Sequence, residues 1–285
     1  MYLPLVVGVD GSEPSLRAVD WAADEATLHT VPLLVVCGTL WERYEGAALA
    51  RELDGTPADT RADDILDAAA RRARRRHPDL VVTTETVLDE AEHALVCAGR
   101  NASMIIVGSR GRSGIADRLL GSVSRTVAAG SDCPVVVLRG NHDNRALGGR
   151  DGRVVVGVGV GEPAVSVLRL AFTEARLRHV PLAAVRAWRC PAHETIDHPL
   201  LTGEPARLYE ERAARELEAA LEDAPPDVVV RRHTVEGPAR AVLPAASAEA
   251  DLLVIGRRTQ GRLGRVAHAV LHRSACPVVV VPERT

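Results

Sequence analysis

The chain contains no lysine: all 35 basic residues among its 285 are arginine. That excludes a Walker-type phosphate loop, whose lysine reaches the outer phosphates, and any Schiff-base mechanism. Aromatic residues are nearly as scarce, at 2%, so the core must be aliphatic and there is no base-stacking platform for single-stranded nucleic acid. A formal net charge of −3 is not the footprint of a phosphate-backbone binder. Cys37, Cys97, Cys133, Cys190 and Cys276 are widely spaced and odd in number. None forms a C-x-x-C pair, which argues against a zinc site and against a disulfide framework. No apolar run approaches the ~18 residues of a membrane span. The segment Met1–Asp10 has no basic flank or cleavage signature. The expectation is a cytoplasmic protein that binds neither nucleic acid nor membrane.

What the chain does contain is a repeat. Leu5–Pro14 reads LVVGVDGSEP and Val154–Pro163 reads VVVGVGVGEP; Ser103–Gly108 (SMIIVG) matches Asp251–Gly256 (DLLVIG); Cys133–Leu138 (CPVVVL) matches Cys276–Val281 (CPVVVV). Three anchors in one order at nearly constant spacing indicate duplication. The polar, glycine-rich stretch Gly140–Gly152 suits a linker. Two domains follow, 1–140 and 152–285, each of ordinary single-domain size.

Within the first copy, apolar runs alternate with helical spacing. Strands are expected at Leu3–Val9, Val31–Val36, Val81–Val87, Met104–Val107 and Val135–Leu138. Helices are expected at Pro14–Thr30, Arg61–Arg76, Ala91–Asn101 and Leu119–Ala129. Uninterrupted Val/Ile runs suit strands buried on both faces, and strand–helix alternation implies right-handed crossovers. The fold class is therefore α/β, with a five-stranded parallel sheet in each half.

Open parallel sheets bind ligands beyond the carboxyl ends of their strands. Asp10-Gly11-Ser12 ends the first strand, Val36 lies at the end of the second, and Gly108 opens the array Gly108-x2-Gly111-x9-Gly121-Ser122, followed by Val123 and Ser124. Glycines let backbone N–H groups approach an anion closely, and a helix N-terminus after Gly121 favours phosphate. Arg110, Arg112 and Arg118 add mobile positive charge, and Asp10 can accept hydrogen bonds from a ribose or a base. Against this stand plainer roles: tight βα turns, and helix capping by Asp10 or Ser122.

This glycine array, with Asp10 and a terminal Cys-Pro-Val-Val-Val strand, resembles the universal stress proteins in a tandem two-domain, Rossmann-like form. The resemblance covers essentially the whole chain and implies a strand order of 3-2-1-4-5. It also implies ATP or a related adenine nucleotide, with or without Mg²⁺, bound without a Walker motif. Carried over, Asp10 and Val36 would hold adenine and ribose, with Gly11 and Ser12 in the same turn. Gly108, Gly111, Gly121 and Ser122 would hold ribose and phosphates, with Arg110, Arg112, Val123 and Ser124 adjoining. Pairing through the last strand is also a family habit, and here Val135–Leu138 and Val278–Val281 would join the two halves; a homodimer is a further expectation.

The second half departs from this pattern. Asp10 aligns with Gly159, Gly11-Ser12 with Val160-Gly161, Gly111 with Thr259, and Gly121-Ser122-Val123 with Gly264-Arg265-Val266. Thirteen positions separate Gly108 from Gly121 but only eight separate Gly256 from Gly264. A loop that short cannot wrap a triphosphate in the same way, so this half is expected to be degenerate. Conversely, Gly237-Pro238 has the family's look before the fourth helix of the count, where the first half carries Asp89-Glu90.

Other candidates carry less weight. Gly159-x-Gly161-x-x-Ala164 formally matches a dinucleotide fingerprint, but its repeat partner does not, and the next strand ends near Arg186 instead of an acid. His268 and His272, at i and i+4, lack a carboxylate partner motif for a metal. His193, Glu194, Asp197 and His198 cluster in a segment expected to be a solvated loop. Arg71–Arg76 is a basic run at a helix C-terminus, balanced by Asp63, Asp64 and Asp67 and expected to be a solvated face. The expected function is nucleotide-dependent regulation or stress response, with the nucleotide in the first half only. Phosphoryl transfer would need a positioned base. The only acids near the array are Asp10 and Asp117, so at most weak ATP hydrolysis is expected. A nucleotide-free interaction module is the third class.

Overall fold

The computed structural model describes residues 3–39, 58–109, 120–138, 152–159, 165–190, 204–258 and 260–283. The chain folds as two compact units, one on each half. In the first, β1 (Leu5–Gly8), α1 (Glu13–His29), β2 (Leu33–Gly38), α2 (Ala58–Arg76), β3 (Val82–Val87), α3 (Ala91–Ala98), β4 (Met104–Gly108), α4 (Ser122–Gly130) and β5 (Val135–Leu138) follow one another. A 3₁₀ turn, Gly99–Asn101, extends α3. All neighbouring strands are parallel, and their pairing gives the order β3-β2-β1-β4-β5.

The second unit repeats this with β6 (Val154–Gly157), α5 (Val165–Arg178), β7 (Leu182–Trp188), α6 (Glu204–Ala220), β8 (Val230–Glu236), α7 (Ala239–Ala246), β9 (Leu252–Arg257), α8 (Arg265–Arg273) and β10 (Val278–Pro282). Its order, β8-β7-β6-β9-β10, is the same arrangement.

The sequence dictates most of this. Leu5, Val6, Val7, Met104, Ile105 and Ile106 are buried along their whole run, as a strand covered on both faces requires. Fully burying each such Leu or Ile contributes about 2 kcal/mol. The outer strands β3 and β8 instead expose Thr83, Thr84 and Glu85, and Arg231, Arg232 and His233, polar residues that blunt an edge against further pairing. Helix α1 packs a face of mostly small residues, Ala18, Val19, Ala22, Ala23 and Ala26, with Trp21 the one aromatic side chain it buries.

Helix α1 starts at Ser12, whose hydroxyl accepts from the Ser15 N–H, and ends at Thr30 in the left-handed region (φ 56°). The matching residue after α5, His179, has the same φ of 56°. Val31 belongs to this helix ending, because its N–H donates to the Ala26 carbonyl (3.0 Å). Strand β2 therefore begins at Leu33 and not at Val31.

The basic run at the end of α2 differs from the expectation of a solvated face. Arg72 makes a bidentate pair with Asp20 of α1 (2.7 and 2.6 Å), which raises the arginine's pKa further. Arg76 does the same one turn later with the buried Asp24 (2.5 and 2.7 Å), and His77 Nε2 meets the same carboxylate at 2.7 Å. Only part of the run behaves as a solvated face, with the exposed Arg71 facing Asp67 at 3.8 Å. Spacing of four on both helices aligns the two clamps, which one helix's sequence cannot show. No helix of the described residues is long and apolar enough to cross a membrane.

Candidate functional site

At the carboxyl edge of the first unit's sheet, three adjacent strands bring the sequence-predicted residues together. Gly8 of β1 stands opposite Val36 of β2, and Val7 opposite Ile106 of β4. Continued by two residues, the register sets Val9 level with Gly108, and Asp10 just beyond it. The chain turns there. Asp10 Oδ1 accepts from the Ser12 N–H (2.9 Å) and from the Ser12 hydroxyl (2.6 Å), while Gly11 takes φ 79°, a conformation that favours glycine. Asp10 is therefore not the cap of α1. It braces Ser12, which is the cap.

Val36 is set deeper than the others. Its side chain is buried and its carbonyl accepts from the Val9 N–H (2.9 Å). Strand β2 runs on to Gly38, so Val36 lies two residues below the mouth at that strand, and Thr39 beyond it is itself buried.

The far side of the edge is built by α4. Gly121 is its N-cap in extended conformation, with no side-chain cap. The Gly121 N–H donates to the Ser109 carbonyl (2.8 Å), which ties the start of α4 to the end of β4. The buried Ser124 hydroxyl donates to the Gly108 carbonyl (2.6 Å). These two bonds fasten the first turn of α4 against β4. The amides of Ser122, Val123 and Ser124 have no carbonyl four residues back in the helix, so they face outward with the positive end of the dipole. Ser122 itself is exposed. Arg110, Gly111, Arg112, Asp117 and Arg118 lie outside the described residues.

The equivalent edge of the second unit is covered by its own side chains. Arg186 of β7 is buried; it donates to the Val158 carbonyl (3.3 Å) at the end of β6 and pairs with Glu216 of α6. Arg212 (2.9 Å) and then Arg186 hold the Glu216 carboxyl below its ordinary range. Gly159, the counterpart of Asp10, faces the Arg258 guanidinium, which would lie 3.3 Å from a Cβ added there. Glu283 presses on Gly256, where a Cβ would come within 2.6 Å of its carboxylate. Sequence reasoning met Arg186 only as a missing acid. An arginine inside an otherwise apolar strand was the signal that the edge is filled from within.

The remaining candidates separate cleanly. Gly161, Ala164, Thr259, His193, Glu194, Asp197 and His198 lie outside the described residues, as does most of the 140–152 linker. His268 and His272 stack with ring centroids 4.4 Å apart.

Two successive open parallel sheets with helices on both faces define a tandem Rossmann-like α/β protein. The chain belongs to the universal stress protein family, whose model matches it twice, over residues 1–139 and 152–282. It is 33% identical over 295 residues to a universal stress protein of Mycobacterium tuberculosis, with 98% of this chain and 97% of that one covered. A second M. tuberculosis universal stress protein is 31% identical over 305 residues, covering 98% of this chain and 94% of the other. The crystal structure of a universal stress protein from Archaeoglobus fulgidus shares the fold, with a TM-score of 0.68, 20% identity and coverage of 99% and 98%.

Proposed function

We propose that this protein is a stress-response or regulatory nucleotide-binding protein that takes ATP, or a related adenine nucleotide, in its first unit only. The observation that carries this reading is the convergence of the Asp10 turn, Gly108 and the first turn of α4 on one sheet edge, with α4 pinned there by Gly121 and Ser124. Asp10 would accept from ribose or base, and the amides of residues 122–124 would take the phosphates, joined by the arginines of the intervening loop and by Mg²⁺ where it accompanies the nucleotide. In the second unit Arg186, Arg258 and Glu283 occupy the corresponding edge, Ser122 is replaced by Arg265, and the phosphate loop is five residues shorter.

The reading is one of binding with at most weak ATP hydrolysis, since phosphoryl transfer needs a positioned base and Asp10 already braces Ser12. The same reading includes pairing of the halves through their last strands, a cytoplasmic location and self-association of the chain.

Titration of ATP into the intact protein by calorimetry and thermal shift tests it. One nucleotide per chain is expected, together with a raised melting temperature. Asp10→Ala and Gly121→Ala should abolish the shift, whereas Gly264→Ala should leave it intact. No copurified nucleotide and no shift with ATP would overturn the reading. Steady ATP turnover lost in Asp117→Ala would instead make the protein an enzyme.

A further inference from the structure

The first unit's departure from Gly-Pro at Asp89-Glu90 belongs to a second constellation that the nucleotide reading does not use. Asp89 lies just before α3, His93 is in its first turn and Cys97 in its second, so the i, i+4, i+8 spacing places all three on one face. The geometry is a linear relay. His93 Nδ1 bonds the Asp89 carboxylate, and His93 Nε2 lies 3.6 Å from Cys97 Sγ. An ionised carboxylate can only accept, so Nδ1 carries the proton and Nε2 presents its lone pair to the thiol. Asp89 Oδ1 also accepts from the Glu90 N–H (2.8 Å). The His93 bond foremost, and then this amide, hold the Asp89 carboxyl below its ordinary range and so keep it an acceptor.

Because the imidazole uses its two opposite nitrogens for the two partners, Asp89 and Cys97 cannot share one metal ion with it. The arrangement suits proton removal from sulfur. His93 and Asp89 are solvent-accessible and Cys97 is half-buried, whereas Cys37, Cys133 and Cys276 are buried. In the second unit the aligned positions are Gly237, Ala241 and Ala245, so the relay exists in one copy only.

We propose that Asp89, His93 and Cys97 form a thiol-activating relay that makes Cys97 the hydroperoxide-reactive cysteine of this protein. His93 Nε2 takes the Sγ proton and the thiolate attacks one peroxide oxygen. The S–O bond forms as the O–O bond breaks, and the departing oxygen takes the proton from the imidazolium. Cys97 is oxidised to its sulfenic acid, and the peroxide is reduced to water, or to water's alcohol equivalent if it is an organic hydroperoxide. Asp89 is the positioning residue, holding the ring in the productive tautomer.

The test treats the full chain with hydrogen peroxide, traps sulfenic acid with dimedone, and follows each cysteine by peptide mass spectrometry. Half-buried Cys190 serves as the internal reference. Cys97 should be labelled about a hundredfold faster than Cys190, the lower end of what a positioned base provides. His93→Gln should bring Cys97 down to the Cys190 rate, and Asp89→Asn should lower it several-fold with no change in melting temperature. Iodoacetamide alkylation supplies a second readout. At high pH, where every thiol is ionised, the native and His93→Gln rates should converge, whereas a change in access would keep them apart. Cys97 reacting no faster than Cys190, or unaltered by His93→Gln, would overturn the proposal.

Discussion

At equivalent points of the fold the first half places Asp10, Gly38, Ser124 and His93 where the second places Gly159, Ala187, Ala267 and Ala241. Around these points the scaffold is the same: the strand order, the left-handed residue after the first helix, and even the close packing of Gly8 on Leu95 and of Gly157 on Leu243. The sheet interior is held in both copies because buried Val and Ile runs permit few alternatives. The carboxyl edge and the outward face of the helix that follows β3 are where the copies diverge, while that helix keeps its core contact through Leu95 and Leu243. A duplicated domain can therefore exchange one edge for internal arginine pairs, and add a cysteine–histidine–aspartate relay to one helix, without altering its frame.

The difference can be broken or sharpened by substitution. The largest stability effect is expected at the clamp between α1 and α2. Asp24→Ala strips a buried carboxylate from Arg76 and His77 and should cost about 3 kcal/mol in denaturant unfolding. The aligned Thr173, whose hydroxyl bonds only its own helix at Arg169, should cost about 0.5 kcal/mol on truncation to alanine. Next is Gly38→Ala. Its Cβ would meet the Ala91 backbone at 2.8 Å, so a loss of about 2 kcal/mol is expected. Ala187 already carries that Cβ, and Ala187→Gly should lose only about 0.5–1 kcal/mol through backbone entropy.

A smaller effect follows from Ser124→Ala, which frees the Gly108 carbonyl and should cost about 1 kcal/mol. It should also weaken nucleotide binding by loosening α4, whereas Ala267→Ser in the second half should leave binding unchanged.

The smallest concerns acid. The folded Glu216 carboxyl titrates below its ordinary value of 4.5 because Arg212 and Arg186 hydrogen-bond it. Its contribution is present above that value and is lost as pH falls through the lowered folded one. Glu216→Gln should flatten the acid limb of the second unit's unfolding curve while leaving the first unit's limb in place.

The duplication, the class of fold and the place of the first-half edge were all legible from periodicity and spacing. Glycines at fixed intervals, an acid after the first strand and unbroken apolar runs each reflect a local backbone requirement. Local reasoning missed relations between elements. The Arg72 and Arg76 clamps need two helices to be side by side. The Ser124 hydroxyl looked like a neighbour of the phosphate array and proves to pin α4 to β4. The second half's departure at this edge looked like a deletion, and the structure adds that Arg186 and Arg258 lie along it.

By itself the sequence determined that the chain is two copies of one parallel α/β domain, with no Walker lysine and with the glycine array intact in one copy. Composition, repeat and hydrophobic period are properties of the chain read in one dimension. Tertiary structure alone decided that Asp10 braces Ser12, that Val36 lies below the mouth, and that His93 presents one nitrogen to Asp89 and the other to Cys97. Those facts depend on strand register and on which rotamer a packed helix allows.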